Sequence, residues 1–183
     1  MSDHRIIRTV IAAVLAGLDA GPVHQFERYM KEKRSLVDAY TAGDRLQGWY
    51  IQRRSFLTAN PQPDGTVLVT TRWRIRFFMA LKDDDKSELI FDDLLDAALA
   101  ATAESSELQK VVRRLSQPLR LEEEGPVLFA GVLCHSADMS LESEHIQLLD
   151  TDAQAGISRV LLGQAPEIGT LYKDEYREIS DAG

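Results

Sequence analysis

Four histidines, one cysteine and two short acidic runs are the residues whose chemistry needs weighing first. His4, His24, His135 and His145 are spread along the chain, and no pair has the i, i+4 or Cys-x-x-Cys-like spacing of a metal site. Cys134 and His135 are neighbours in an apolar run. On a strand they point to opposite faces. A thiol so placed is expected to be buried and inert, without the activating base a nucleophile needs. Asp83-Asp84-Asp85 lacks the alternation and trailing Glu of an EF-hand loop and reads as a solvated helix start. Glu122-Glu123-Glu124 reads as a solvated loop, because paired carboxylates do acid–base work only where their environments split their pKa values. No GxGxxG, GxxxxGK[ST] or GxSxG occurs. The expectation is a protein that is not an enzyme and holds no metal and no cofactor.

The arginines are the more informative set. Arg72, Arg74 and Arg76 fall on alternate positions of the stretch Thr66 to Leu81, TVLVTTRWRIRFFMAL. The intervening positions carry Val67, Val69, Thr71, Trp73, Ile75, Phe77, Met79 and Leu81. A period of two sends successive side chains to opposite faces of a sheet, so this stretch is a strand with one apolar and one basic face. Leu46 to Ala59 is a second strand. Its Trp49, Ile51 and Leu57 share one face, and Tyr50, Gln52, Arg54, Phe56 and Thr58 share the other. Between the two lies Asn60-Pro61-Gln62-Pro63-Asp64-Gly65, where two prolines exclude strand and Asp-Gly signals a turn. The result is a long antiparallel hairpin with Arg53 and Arg54 beside the arginine row. With the turn residue Asp64, these five arginines form a candidate surface for a neighbouring subunit, a tube or a lumen. Phosphate contact through Arg53, Arg72, Arg74 and Arg76, and a plain solvated face, are the alternatives. At ~3.3 Å per residue the stretch from Val67 to Leu81 reaches roughly 50 Å, against a diameter of about 40 Å for a compact chain of this size, so the hairpin must bend, bulge or project.

The remaining elements serve to carry this hairpin. Ser2 to Leu18 is an amphipathic helix with Ile6, Ile7, Val10, Ile11, Val14, Leu15 and Leu18 on one stripe. Its polar face is too weakly basic for a membrane-surface helix. Val23 to Tyr29 is an extended connector whose Phe26 and Tyr29 tuck under the domain edge. Glu32 to Thr41 is a short helix. Ser87 or Asp85 caps a helix over Glu88 to Thr102, with Phe91, Leu94, Leu95, Ala98 and Leu99 inward. Glu107 to Leu115 is a further helix, ended before Pro118. Val127 to His135, apolar on both faces, reads as a central strand. Ala137 to Leu141 alternates again, with Asp138, Ser140 and Glu142 opposite, and is a fourth strand or the far half of a bent third. His145 to Leu149 is a short apolar piece. The core is expected to hold Trp49, Ile51, Trp73, Ile75, Phe77, Phe91, Leu94 and Leu95. The class is α+β: a twisted, mostly antiparallel sheet with a long hairpin, flanked by helices. Residues 1–149 form the domain. From Asp150 to Gly183 the pattern loses its period and reads as an arm.

The chain has 183 residues, 44% hydrophobic and 27% charged, the balance of a globular protein. No apolar run approaches the ~18 residues of a membrane span. The N-terminal apolar run is broken early and followed by Gly-Pro, unlike a signal peptide. A single cysteine excludes a disulfide framework and favours a reducing compartment. The net charge of −8 is unevenly held. Residues 1–82 carry 13 Lys/Arg and 7 Asp/Glu, a net of +6; residues 83–183 carry 8 and 22, a net of −14. Such polarity suits a basic surface on one copy meeting an acidic surface on the next.

The order of the pieces resembles a known family. Val23, His24, Phe26, Glu27 and Arg28 make a V-H-x-[FY]-E-R connector, and Gly48, Trp49, Ile51 and Arg53 a GW-x-I-x-R strand. Arg72, Trp73, Ile75 and Arg76 follow as R-W-x-I-R, then Ser87-Glu88 and FDDLLDA from Phe91 to Ala97. The whole resembles minor tail proteins of long-tailed bacteriophages, of the tail-terminator or tail-completion type. The resemblance covers roughly residues 6–102, loosely 127–141, and not 150–183. It implies a structural virion protein that assembles as a hexameric ring on the head-proximal end of the tail tube. Such a ring stops tube growth and meets the head–tail connector, with phage DNA passing through its lumen. The partners implied are other copies of the chain, the major tail-tube protein and the connector. The place implied is the virion tail, after assembly in the host cytoplasm. A head–tail joining protein or a tail-tube protein has similar size and a similar hairpin.

Overall fold

The computed structural model describes residues 3–28, 33–43, 45–82, 86–148, 161–162 and 177–178. Its elements in chain order are α1 (Asp3–Ala16), β1 (Val23–His24), α2 (Lys33–Ala39), β2 (Thr41–Ala42), β3 (Arg45–Pro61), β4 (Thr66–Ala80), α3 (Ser87–Glu104), α4 (Ser106–Val111), β5 (Arg114–Phe129), β6 (Val132–Leu148), β7 (Leu161–Leu162) and β8 (Arg177–Glu178). The class is the α+β one expected, with a mostly antiparallel open sheet of six strands. Its main path is β1-β3-β4-β6-β5, with β2 paired to β3. The chain divides into two compact units, residues 1–147 and 148–183. In the second, β7 and β8 pair antiparallel. The other residues of the expected arm lie outside those described.

β3 and β4 form the hairpin, with Trp49 opposite Phe77 and Ile51 opposite Ile75. The alternation expected for β4 holds: Val69, Thr71, Trp73, Ile75, Phe77 and Met79 are all buried. Most of these apolar residues meet Ile7, Ile11 and Leu15 of α1, Phe91, Leu95 and Ala98 of α3, and Leu108 of α4 in one core. Leu94 packs half-buried at its margin. Trp49 stacks on Phe77 at 4.0 Å, and Phe77 on Phe91 at 5.1 Å. Both indole N–H groups are satisfied, Trp49 donating to Ala20 O and Trp73 to Ser143 Oγ. A second, smaller core lies on the other face, where Tyr40, Leu46, Tyr50, Phe78, Ala80 and Cys134 cluster. Gly48 allows it to close: a Cβ there meets Pro22 O and Tyr40 Cδ1 at 2.9 Å.

Several local expectations are corrected. β3 runs through Pro61, which sits opposite Val67. That is tolerated because β3 is an edge strand at this end, so the missing N–H faces no partner. Two bulges, between Arg53 and Ser55 and between Phe56 and Thr58, break its alternation. Leu57 is therefore exposed, and not beside Trp49 and Ile51 in the core. From Arg53 to Pro61 every residue of β3 is exposed. The hairpin thus both bulges and leaves the body. Val127 to His135 is not one central strand. Ala130 (φ 48°) and Gly131 (φ 77°) turn the chain back, so β5 ends at Phe129 and β6 begins at Val132. Two successive positive φ values make the tight turn whose twist matches a hairpin. Residues 114 and 115 are strand, not helix, and β5 passes through Pro118 and Glu122-Glu123-Glu124 as an exposed edge. The short piece expected after Leu141 continues β6 as far as Leu148; Leu149 lies outside the described residues. Lys86, in the left-handed region, precedes α3, and Ser87 does not cap it. Asp85 lies outside the described residues. Phe26 is exposed, not tucked under the edge, and Tyr29 lies outside the described residues.

The candidate interface: an arginine face with its own carboxylates

The arginine row is set by β4 and answered by β6. β6 lies beside β4. Arg72 reaches Glu142, Arg74 reaches Asp138 and Arg76 reaches Ser136, so the two strands run antiparallel. Arg72 donates through Nε and Nη2 to Glu142 Oε1 at 2.9 and 2.6 Å. Arg74 forms a two-pronged pair with Asp138, each N–H···O distance 2.5 Å. Arg76 Nε donates to Ser136 Oγ at 3.1 Å and lies 3.7 Å from Asp138 Oδ2. The carboxylates are the better shielded partners: Asp138 and Glu142 side chains are each 13% exposed. The hydrogen bond to Asp138 raises the Arg74 pKa, against the opposing effect of burial.

The network continues outward onto β5. Arg120 Nε donates to Glu122 Oε1 at 2.7 Å, and Ser140 also donates to Glu122. Those two bonds hold the Glu122 carboxyl below its ordinary range. Arg114 pairs with Glu144 at 2.7 Å. A cleft of about 530 Å³ opens along this face, lined by Arg54, Arg72 and Arg74 and by Glu122, Glu123 and Asp138. Three positive groups meet three negative ones, so their fields cancel. A polyanion is drawn to uncompensated charge. This face offers a neutral lattice of oriented ion pairs.

The five arginines do not share one face. Arg53 stands opposite Trp73 in the register, which puts it on the helix-covered side. There its guanidinium lies 4.6 Å from the centre of the Phe56 ring. Arg54 does join Arg72 and Arg74 in the cleft. Asp64 is fully occupied with the turn. Its Oδ1 accepts from Thr66 N at 3.0 Å and from Thr66 Oγ1 at 2.7 Å, which lowers its pKa. What sequence reasoning missed was not the carboxylates, since Asp138, Ser140 and Glu142 alternate visibly. It missed that β6 lies beside β4 and supplies the partners of the arginines.

Other chemistry-bearing residues are placed structurally. Cys134 lies in the smaller core, and burial pushes its thiol up to about 11. His135, on the opposite face as expected, lies 2.9 Å from Ser87 Oγ through Nε2. That Ser–His contact is not arranged for nucleophilic attack. Ser87 is 2% exposed, and its oxygen accepts the Lys82 N–H at 2.9 Å. The pair ties the start of α3 to β6. Among the described residues no group of three His, Cys, Asp or Glu side chains is placed to hold a metal ion. No described helix is long and apolar enough to cross a membrane. Searches against protein-family models and against curated proteins find no match for this chain.

Proposed function

We propose that this protein is a structural component of a phage tail: a ring-forming terminator that caps the head-proximal end of the tail tube and joins it to the head connector. The reading begins from the resemblance of residues 6–102 to tail-terminator proteins. One structural observation supports it most. The β3–β4 hairpin leaves the body, with every β3 residue from Arg53 to Pro61 exposed. A strand so exposed gains nothing for the isolated domain and offers backbone and side chains to a neighbour.

The neutral arginine face fits the same reading. Paired charges held in fixed geometry confer specificity at a protein contact more than raw attraction. The same observation weakens the alternative of a nucleic-acid domain working through Arg53, Arg72, Arg74 and Arg76. Three of those arginines are answered by β6, and the fourth is on the other face. The test is sedimentation of the purified chain alone and with tail tubes. A ring, or a ring formed on meeting tube ends, is the expected outcome. A strictly monomeric protein that never binds tube ends overturns the reading. A gene just upstream of the major tail-tube gene distinguishes a terminator from another head–tail joining protein.

A further inference from the structure

A cluster of positive charge lies apart from the arginine row of β4. Arg5 and Arg8 of α1, with Arg53 of β3, gather on the helix-covered side, and none has an ion-pair partner among the described residues. Arg8 lies over the Trp73 ring at 5.6 Å, and its Nε is buried without a hydrogen-bond acceptor. Burial, then Arg53 and Arg5, lower its pKa, as mutual repulsion requires. Phe26 and Phe56, 56% and 51% exposed, flank the cluster. Phe26, Arg8, Arg53 and Arg54 line one cleft of about 350 Å³, together with the carboxylate of Glu27.

The matching surface is on α3. Asp92, Asp93 and Asp96 are exposed on its outer side, none of them ion-paired among the described residues. Leu89 and Ile90, 60% and 38% exposed, lie one turn before them. The first patch is net positive, with Glu27 among its arginines, the second is negative, and each carries two exposed apolar side chains. The apolar residues matter, because an exposed ion pair alone contributes only ~0–1 kcal/mol. The two patches belong to neighbouring helices on one face of the sheet, where α1 and α3 pack against each other in a shared core. α1 lies over β1 and β3, and α3 over β4 and β5, so the patches are displaced from each other across that face.

We infer that the Arg5–Arg8–Arg53 cluster seats the acidic outer face of α3 from a second copy of this chain. A contact between two different patches is heterologous, and such a contact closes into a ring when its rotation permits. The inference rests on the ring-forming reading above and names the surfaces that build the ring. A nucleic acid is the less favoured occupant. The chain carries a net charge of −8, which repels a polyanion at long range, whereas an α3 helix presents its carboxylates locally.

The test uses the full chain in four preparations: wild type, Arg5→Glu/Arg53→Glu, Asp92→Lys/Asp93→Lys, and an equimolar mixture of the two variants. All four sites are exposed, so circular dichroism should match the wild type. Arg53→Gln and Asp93→Asn serve as milder versions. Light scattering reports the mass. Each charge-reversed variant alone should assemble at least about tenfold more weakly, and the mixture should recover, because every contact is again between opposite charges. Wild-type oligomers that survive both reversals overturn this interface and leave the ring reading standing. A wild type that stays monomeric even with tail tubes removes the ring reading as well. Binding of a labelled single-stranded oligonucleotide that Arg5→Glu/Arg53→Glu abolishes, with oligomer mass unchanged, assigns the cluster to nucleic acid and overturns the inference.

Discussion

At the residue scale, Asp138 holds the arginine face together. It takes both prongs of Arg74 and stands 3.7 Å from Arg76 while itself largely shielded. Asp138→Ala should cost about 1–3 kcal/mol in denaturant-derived stability, because it strands partly buried guanidinium donors. Arg120→Ala, removing an exposed pair on the edge strand, should leave the denaturant midpoint essentially unchanged. A second residue-scale consequence concerns alkaline pH. Burial pushes Tyr40 from 10.0 up to about 12 and Cys134 from 9.0 up to about 11. A raised folded pKa means stability that is full below the unfolded value and lost as pH climbs through the folded one. Unfolding titrations should therefore show stability falling from about pH 9 to about pH 12. Tyr40→Phe should remove the fall above about pH 11 and leave the Cys134 part, from about pH 9 to about pH 11, in place.

At the element scale, the turn after β5 and the hairpin register are the points of control. Ala130 carries positive φ in a two-residue turn that Asn-Gly fits best. Ala130→Asn should raise stability by about 0.5–1 kcal/mol, and Gly131→Ala should lower it by about 1 kcal/mol, both read from thermal midpoints. Gly48 is constrained differently. Its neighbours approach so closely that Gly48→Ala must displace Pro22 or Tyr40, an overpacking cost of about 1–3 kcal/mol. The hydrophobic alternation of β4 makes this strand legible from its residue types alone. The turn at Ala130-Gly131 is not legible in that way, because the apolar residues on either side of it run together. The strands flanking that turn are half covered by α2 and by the smaller core, so their alternation is weak.

At the molecular scale, the two halves of the chain do not keep their opposite charges apart. The basic first half and acidic second half meet across the β4–β6 pair and cancel there. Arg5, Arg8 and Arg53, and the α3 carboxylates Asp92, Asp93 and Asp96, are among the described charges left out of those pairs. Contacts between such exposed charges weaken with salt, whose screening length falls from about 10 Å at 0.1 M to about 3 Å at 1 M. Assembly through them should accordingly loosen when the same protein is run by light scattering at high salt. An oligomer indifferent to salt would be held by apolar contact alone.

The sequence by itself determined the α+β class, the β3–β4 hairpin, the apolar face of β4 and the core residues Trp49, Ile51, Trp73, Ile75, Phe77, Phe91 and Leu95. These follow from periodicity, a local property that a strand or helix must satisfy to bury one side. Tertiary structure alone decided which charges cancel. Arg74 and Asp138 are far apart in the chain, and no spacing rule brings them together. Their pairing depends on β6 docking beside β4 after α3 and α4 have crossed the sheet. Arg53 reaches the helix-covered face by plain alternation with Trp49 and Ile51, and the bulge that follows it turns Phe56 onto the same face beside it. A one-residue change of register reverses the side on which every following side chain lies.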